Sequence, residues 1–296
     1  MHVPIEVVHR GRDVAAELGA DGCVAVGGGS AIGLGKAVAL EHGLPIIAIP
    51  TTYAGSEMTP VWGLTEGGQK RTGRDVRVLP RSVLYDPELT LTLPAALSAA
   101  SGVNALAHAV EALYAPDASP VISLMAEEAV RSLADALPLV VADGSDLDAR
   151  SDALHGAWLC GAALGATTMS LHHKLCHTLG GTLNLPHAQT HTVVLPHALA
   201  YNAPAAPDAV AALSRALGNA DPAQTLWDLA GQLGAARSLA ELGMQEDDIP
   251  RIAALAVSAP YANPRPVTRD GIERLLHAAW RGEAPNGRQM ANDGAP

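Results

Sequence analysis

Residues 24–30 read VAVGGGS, an apolar run of strand character that breaks into three glycines and a serine. Glycines lack a Cβ, so their backbone N–H groups can approach a phosphate closely. A helix capped by Ser30 would add its positive dipole end and its free donors. Gly27, Gly28, Gly29 and Ser30 are therefore candidates for cradling the pyrophosphate of a dinucleotide. The competing reading is a tight strand-to-helix turn that merely needs positive φ.

On either side of this turn, strand-like runs at 23–26, 45–49 and 82–85 alternate with helical patterns at 4–19 and 31–41. That alternation predicts a parallel sheet with crossover helices, the first helix covering the sheet. The second strand runs into PTTYAGSE (50–57). Ligands of open α/β sheets bind beyond the carboxyl ends of the strands, so Thr51, Thr52 and Ser56 would line one crevice with the glycine turn. Taken alone, the two threonines read as a capped turn.

Beyond Pro94 the texture changes to Ala- and Leu-rich segments at helical spacing, over 95–113, 121–141 and 148–164. The predicted organisation is an α/β dinucleotide-binding domain over 1–94, an all-α catalytic domain over 95–281, and a flexible Gly- and Pro-containing tail over 282–296. The boundary falls in DPELTLTLP (86–94), and 296 residues suit two domains. With no Phe, the core must be filled by Ala, Leu and Val, so helices should pack closely on small residues.

Thirty acidic against nineteen basic residues leave a net charge of −11, which argues against nucleic acid and anionic membrane surfaces as partners. Cys23, Cys160 and Cys176 form no CxxC pair, so neither a disulfide framework nor a zinc knuckle is indicated, and a cytoplasmic location is expected. No signal peptide is legible at the N-terminus. The uncharged stretches 153–173 and 175–207 are broken by Gly, Pro, Thr and His, against a membrane span.

Six of the twelve histidines (His172, His173, His177, His187, His191, His197) crowd into residues 172–197, where Lys174 is the one charged residue. His173 and His177 are four apart, as are Asn104 and His108 in SGVNALAHAVEALY, so each pair shares a helical face. His187 follows Pro186 in an expected loop. His108, His173 and His187, joined by Asn104, have the ligand types of a divalent-metal site, although an amide lacks the charge a carboxylate brings. Two other readings stay open: imidazoles acting as acids and hydrogen-bond donors in a metal-free pocket, or satisfied core histidines.

GGGS, PTTYAGSEMTP, DPELTLTLP, SGVNALAHAVEALYAP, HHKLCHTLGGTLNLPHAQTHTVVLPHALAYN and NPRP (263–266), in this order, resemble the iron-containing alcohol dehydrogenase superfamily over residues 1–281. Within it they are most similar to the branch that reduces maleylacetate to 3-oxoadipate in aromatic-compound catabolism. The resemblance implies a dehydroquinate synthase-like fold, NADH or NADPH in the N-terminal domain, a helical domain closing the cleft, and a homodimer. Metal-dependent members hold their ion with an Asp and three His, which correspond here to Asn104, His108, His173 and His187. The amide at 104, and Gly33 where relatives carry an Asp, both favour chemistry that does not require a divalent metal. Relatives also begin several dozen residues earlier, with a strand and helix that complete the sheet. The sheet here is thus expected to be incomplete, with an edge and an apolar face exposed.

The implied reaction delivers a hydride to a C=C bond conjugated to a ketone, creating an enolate that needs hydrogen-bond donors and then a proton. His177, His173, His187 and His108 are the expected donors, with His172 and His191 behind them. The small dicarboxylate substrate needs local positive charge: Lys174 is the first candidate, Lys70 and Arg71 in an expected polar loop the second, Arg265 a third. The rival readings are a metal-dependent alcohol dehydrogenase and a non-catalytic fragment that binds ligand or dimerises.

Overall fold

The structure, a computed structural model, describes residues 3–67 and 69–285; Met1, the Lys70 side chain and the expected tail from 286 onward lie outside the described part. The chain runs through β1 (Val3–Pro4), α1 (Ile5–Glu17), β2 (Cys23–Gly27), α2 (Gly29–His42), β3 (Ile46–Pro50), β4 (Val61–Glu66), β5 (Gln69–Arg74) and β6 (Ser82–Val83). Strands β2, β3 and β6 form a parallel sheet in that order, with Gly27 in register with Pro50, so the glycine turn and the PTTYAGSE loop leave the sheet side by side.

α2 covers one face of this sheet, burying Ile32, Val38 and Ala39 against Ala25 and Ile46. On the other face Val24, Val26 and Ile47 are exposed, and β2 is an edge strand. A groove of about 1070 Å³ runs over that bare face past Val24, Ile47, Val76 and Ser82, and the histidine-rich segment contributes nothing to it.

Two sequence expectations change here. α1 lies one layer out: Val8 packs with Val3, Ala37 and Leu64, against α2 and the β1–β4 pair, instead of covering the parallel sheet. Residues 69–74 are not a polar loop; they form β5, antiparallel to β4 with Arg71 opposite Leu64. QKRTGR carries no apolar alternation, so its strand state comes from pairing with β4 across the turn at Gly67 (φ +55°).

The rest of the described chain is helical: α3 (Ala95–Ala112), α4 (Pro120–Ala142), α5 (Leu147–Ala166), α6 (Leu171–Leu183), α7 (His187–Asn202), α8 (Pro207–Leu217), α9 (Pro222–Gln232), α10 (Ile249–Ala256) and α11 (Arg269–Arg281). α3 runs through the middle, buried along most of its length and packed against α4, α5 and α7. Close packing on small residues is realised: a Cβ on Gly156 would stand 2.7 Å from Leu133 Cγ. Among the described residues no helix is long and apolar enough to cross a membrane.

The α/β and helical parts meet where the loop after β3 crosses α5. A Cβ on Gly161 would stand 2.7 Å from the Gly55 carbonyl oxygen, and one on Gly165 2.7 Å from that of Met58. Arg150 of α5, itself buried, donates to Tyr53 Oη (3.3 Å) and to the Leu93 carbonyl (3.2 Å), tying the loop and the 86–94 connection to the bundle. From the other side, Lys36 of α2 donates to the carbonyls of Thr59 (2.7 Å) and Val61 (2.9 Å) and to Thr59 Oγ1 (3.0 Å). Gly161→Val should therefore force the loop off α5 and lower stability by about 1–3 kcal/mol, the range of an overpacked core. Thermal unfolding measures this, and an unchanged Tm would show that the close approach constrains nothing.

Candidate active site

Gly27 has φ +137°, a conformation that side chains other than glycine rarely adopt, and a Cβ on Gly28 would stand 3.0 Å from Thr52 Cγ2. Thr51 N donates to the Gly27 carbonyl at 3.1 Å. The two strand ends thus form one crevice with Gly27, Gly28, Thr51 and Thr52 on its walls. Gly28, not Ser30, is the helix N-cap; Ser30 lies exposed within the first turn of α2. No side chain caps this N-terminus, which leaves its donors and dipole for an anionic ligand, so a dinucleotide pyrophosphate fits the cradle. Ser56 lies further along the loop, its carbonyl accepting from Lys36.

Beneath the crevice, burial pulls Lys36 down to about 7 while the neighbouring Glu57 pulls it back up. Glu57 is itself buried, its carboxyl raised by desolvation, and accepts from Tyr85 Oη at 3.0 Å.

The histidine side is built by a helical hairpin. α6 ends at Asn184 in the left-handed region (φ +53°), and Pro186 caps α7, so His187 is the first residue of a helix and not part of a loop. His173 and His177 of α6 then face His187 and His191 of α7, while Asn104 and His108 approach from α3. Ring centroids lie 5.0 Å apart for His108 and His173, 6.0 Å for His173 and His177, 6.3 Å for His177 and His187, and 4.4 Å for His187 and His191. His172 completes the cluster, bonded to His191 through Nε2 and Nδ1 at 2.9 Å. His108 and His173 are buried, His187 is half-buried and His177 is exposed, so the cluster opens outward at His177.

The two halves touch, because a Cβ on Gly55 would stand 3.7 Å from His108 Nδ1. One short loop therefore meets the glycine turn at Thr52 and the histidines at Gly55. Asn104 Oδ1, His108 Nδ1 and His173 Nε2 are buried with no hydrogen-bond partner in the protein. Such groups cost about 1–3 kcal/mol each unless something bonds them.

Several expected residues lie elsewhere. Lys174 is turned to Tyr261, its Nζ 5.9 Å from the ring centroid. Arg265 is buried, donating to the Tyr201 carbonyl and stacked over the Tyr201 ring, a structural role. His197 packs on Trp227, outside the cluster. Two residues that sequence reasoning passed over hold the first turn of α6. Glu111 of α3 accepts from Ser170 N (2.9 Å), His172 N (2.7 Å) and His173 Nδ1 (2.7 Å), and Asn263 Oδ1 accepts from Leu171 N (3.4 Å). A signal for Glu111 was present: 104, 108 and 111 follow the i, i+4, i+7 spacing of one helical face.

Residues 98–280 match the Fe-containing alcohol dehydrogenase family, C-terminal, and residues 1–87 match the iron-containing alcohol dehydrogenase family. The chain belongs to the iron-containing alcohol dehydrogenase family. It is 60% identical over 285 residues to the maleylacetate reductase of Sphingobium indicum, spanning 96% of this chain and 81% of that relative. The crystal structure of maleylacetate reductase from Agrobacterium tumefaciens matches with a TM-score of 0.94 at 52% identity, over 96% of this chain and 81% of the other. Sulfoacetaldehyde reductase from Bifidobacterium kashiwanohense, solved in complex with NAD+, matches with a TM-score of 0.84 at 25% identity, over 92% and 79% of the two chains.

The family name implies iron, and the residues here differ from a charged ligand set for it. One of the four corresponding positions, Asn104, offers a neutral amide. Among the described residues the ligand atoms of His172, Cys176 and His191 lie within 4.8 Å of one another, and the two imidazoles of that group already bond each other.

Burial holds His108, His172 and His191 well below the usual imidazole value of 6.5, with the neighbouring histidines adding to the effect, and burial holds His197 at about 4. Their folded pKa values lie below the unfolded one, so stability is fully present above 6.5 and falls as the unfolded chain takes up protons that the folded chain refuses. The slope is up to about 1.4 kcal/mol per pH unit for each group. Urea unfolding should therefore show a steep loss between about pH 6.5 and pH 5. A flat profile across that window would mean that these rings are not held neutral.

Proposed function

We propose that this chain is an NADH- or NADPH-dependent reductase that converts maleylacetate to 3-oxoadipate, with no divalent metal required. The observation that carries the reading is the set of unpartnered, buried polar atoms on Asn104, His108 and His173, one loop away from a turn shaped for a pyrophosphate. The 52–60% identity to maleylacetate reductases supports the choice of substrate.

The reduced nicotinamide, when bound, supplies a hydride to the alkene carbon β to the ketone. The chain's own groups manage the charge that follows. Negative charge gathers on the ketone oxygen, and an imidazole N–H of His108, His177 or His187 bonds it in a water-poor pocket where such bonds are strong, whereas His173, its Nδ1 against Glu111, can donate there only when protonated. The carbon α to the ketone then takes a proton, which gives 3-oxoadipate. His177 is the exposed member of the cluster and lies beside both His173 and His187, so it is placed to renew that proton from bulk water.

The test follows NADH and NADPH oxidation by the chelator-treated protein with maleylacetate. Turnover that survives EDTA is the expected result. Loss of turnover restored by Fe²⁺ or Zn²⁺, together with activity on simple alcohols, would make it a metal-dependent alcohol dehydrogenase instead. His177→Ala should reduce turnover about 10²–10⁴-fold. As an exposed substitution it should leave stability within about 0.5 kcal/mol. Equal turnover with a lowered Tm would assign His177 a packing role. Gly28→Val should weaken cofactor binding by pushing on Thr52, and unchanged affinity in a fluorescence titration would remove the glycine turn from the site.

A further inference from the structure

We propose that Glu111 is the positioning residue of the site: its carboxylate fixes which nitrogen of His173 meets the ligand. This rests on the reading that the histidine cluster serves the reduction. Glu111 is fully buried on α3, one turn beyond His108. Its Oε1 accepts from His172 N (2.7 Å) and its Oε2 from Ser170 N (2.9 Å) and His173 Nδ1 (2.7 Å). Two of these donors are backbone N–H groups, which cannot accept, so both oxygens act as acceptors. The hydrogen between Oε2 and His173 therefore sits on Nδ1, and it stays there whether the ring is neutral or charged. Nε2, buried and unpartnered in the protein, is left as the atom through which this ring bonds a ligand or exchanges a proton.

The same carboxylate places the ring as well as its tautomer. α6 has no side-chain cap of its own at Ser170, and its opening N–H groups are taken by Glu111 and, at Leu171, by Asn263. Asn263 is held in turn by Asn202, through Nδ2 to Oδ1 at 2.7 Å and Oδ1 to Nδ2 at 3.0 Å. The helix that carries His172, His173 and His177 is therefore seated on α3 by a charge, in the turn where His173 stands. A geometry held from outside the reacting atoms serves catalysis by removing the search for the productive orientation.

Glu111→Gln keeps the shape and removes one acceptor. With its oxygen in the Oε2 place the amide keeps Ser170 N and His173 Nδ1 and opposes His172 N; with its NH₂ there it opposes Ser170 N and can donate to His173 only at a bare Nδ1, so one of the three bonds is lost in either orientation. The experiment compares wild type, Glu111→Gln, His173→Asn and the double variant. It measures maleylacetate turnover, NADH dissociation constants and the ¹⁵N spectrum of histidine-labelled protein, with His173→Asn assigning the His173 signals.

In wild type the expected spectrum has hydrogen on Nδ1 and a bare Nε2. Turnover of Glu111→Gln should fall about 10- to 100-fold. NADH affinity should stay unchanged, and the loss in the double variant should be smaller than the product of the two single losses, because the two residues share one hydrogen bond. The inference is overturned by hydrogen on Nε2 in the wild-type spectrum, by Glu111→Gln turnover within about twofold of wild type, or by losses that multiply in the double variant. If Glu111→Gln does not fold, the wild-type ¹⁵N spectrum still decides. A wild-type protein that fails to reduce maleylacetate would sink the proposed function, while the spectrum would still test the hydrogen bond.

Discussion

The molecule depends on one close approach, the crossing of the loop after β3 over α5, where Gly55 and Gly161 meet with no room for a Cβ on Gly161. Everything proposed for the site lies on one side or the other of that crossing. Thr52, at one end of the loop, backs the glycine turn, and Gly55, three residues on, backs His108. Lys36 grips the far end of the loop from α2 and Arg150 grips Tyr53 from α5, so the loop is held by a buried cation from each part of the fold. Burying two cations is costly unless acceptors surround them, and the carbonyls of Thr59, Val61, Gly144 and Leu93 do so. On the proposed function, rigidity at the crossing would set the distance between the cofactor and the imidazoles.

Around that crossing the histidines form a graded set. His172 and His191 are fully enclosed and bonded to each other, His173 is enclosed and bonded to Glu111, His108 is enclosed, each of these four keeps one buried nitrogen without a partner in the protein, and His177 reaches water. Enclosed imidazoles stay neutral because the surroundings cannot solvate their charge, and each additional histidine raises the penalty for protonating the next. A pocket of this kind can offer donors to a developing oxyanion without already holding competing charge. It also leaves the protein poorly suited to acid, since the unfolded chain gains protons that the folded one refuses.

Much of the architecture was legible because it rests on local periodicity. The strand of VAVGGGS, the helix after it and the long Ala-rich helices all stand where their spacing puts them, and the pairing of Asn104 with His108 follows from a four-residue step along α3. The hairpin at 61–74 was not legible, because QKRTGR is polar throughout and becomes a strand only by bonding to its neighbour. His187 was read as a loop residue because Pro186 breaks a pattern from the preceding side, although proline before a helix commonly starts one. Lys174 and Arg265 were singled out for charge, yet both lie against tyrosine rings, a contact that no linear spacing displays.

By itself the sequence determined the strand-turn-helix with its phosphate-sized glycines, the helical remainder, and an unusual concentration of imidazoles near an amide in place of a carboxylate. These follow from backbone sterics and side-chain period, which act within a few residues. Tertiary structure alone decided that the imidazoles converge, which of their nitrogens lack partners, and that Glu111, distant in sequence from His173, holds that ring. Convergence and hydrogen-bond pairing depend on how helices cross, and helix crossings are set by packing between segments far apart along the chain.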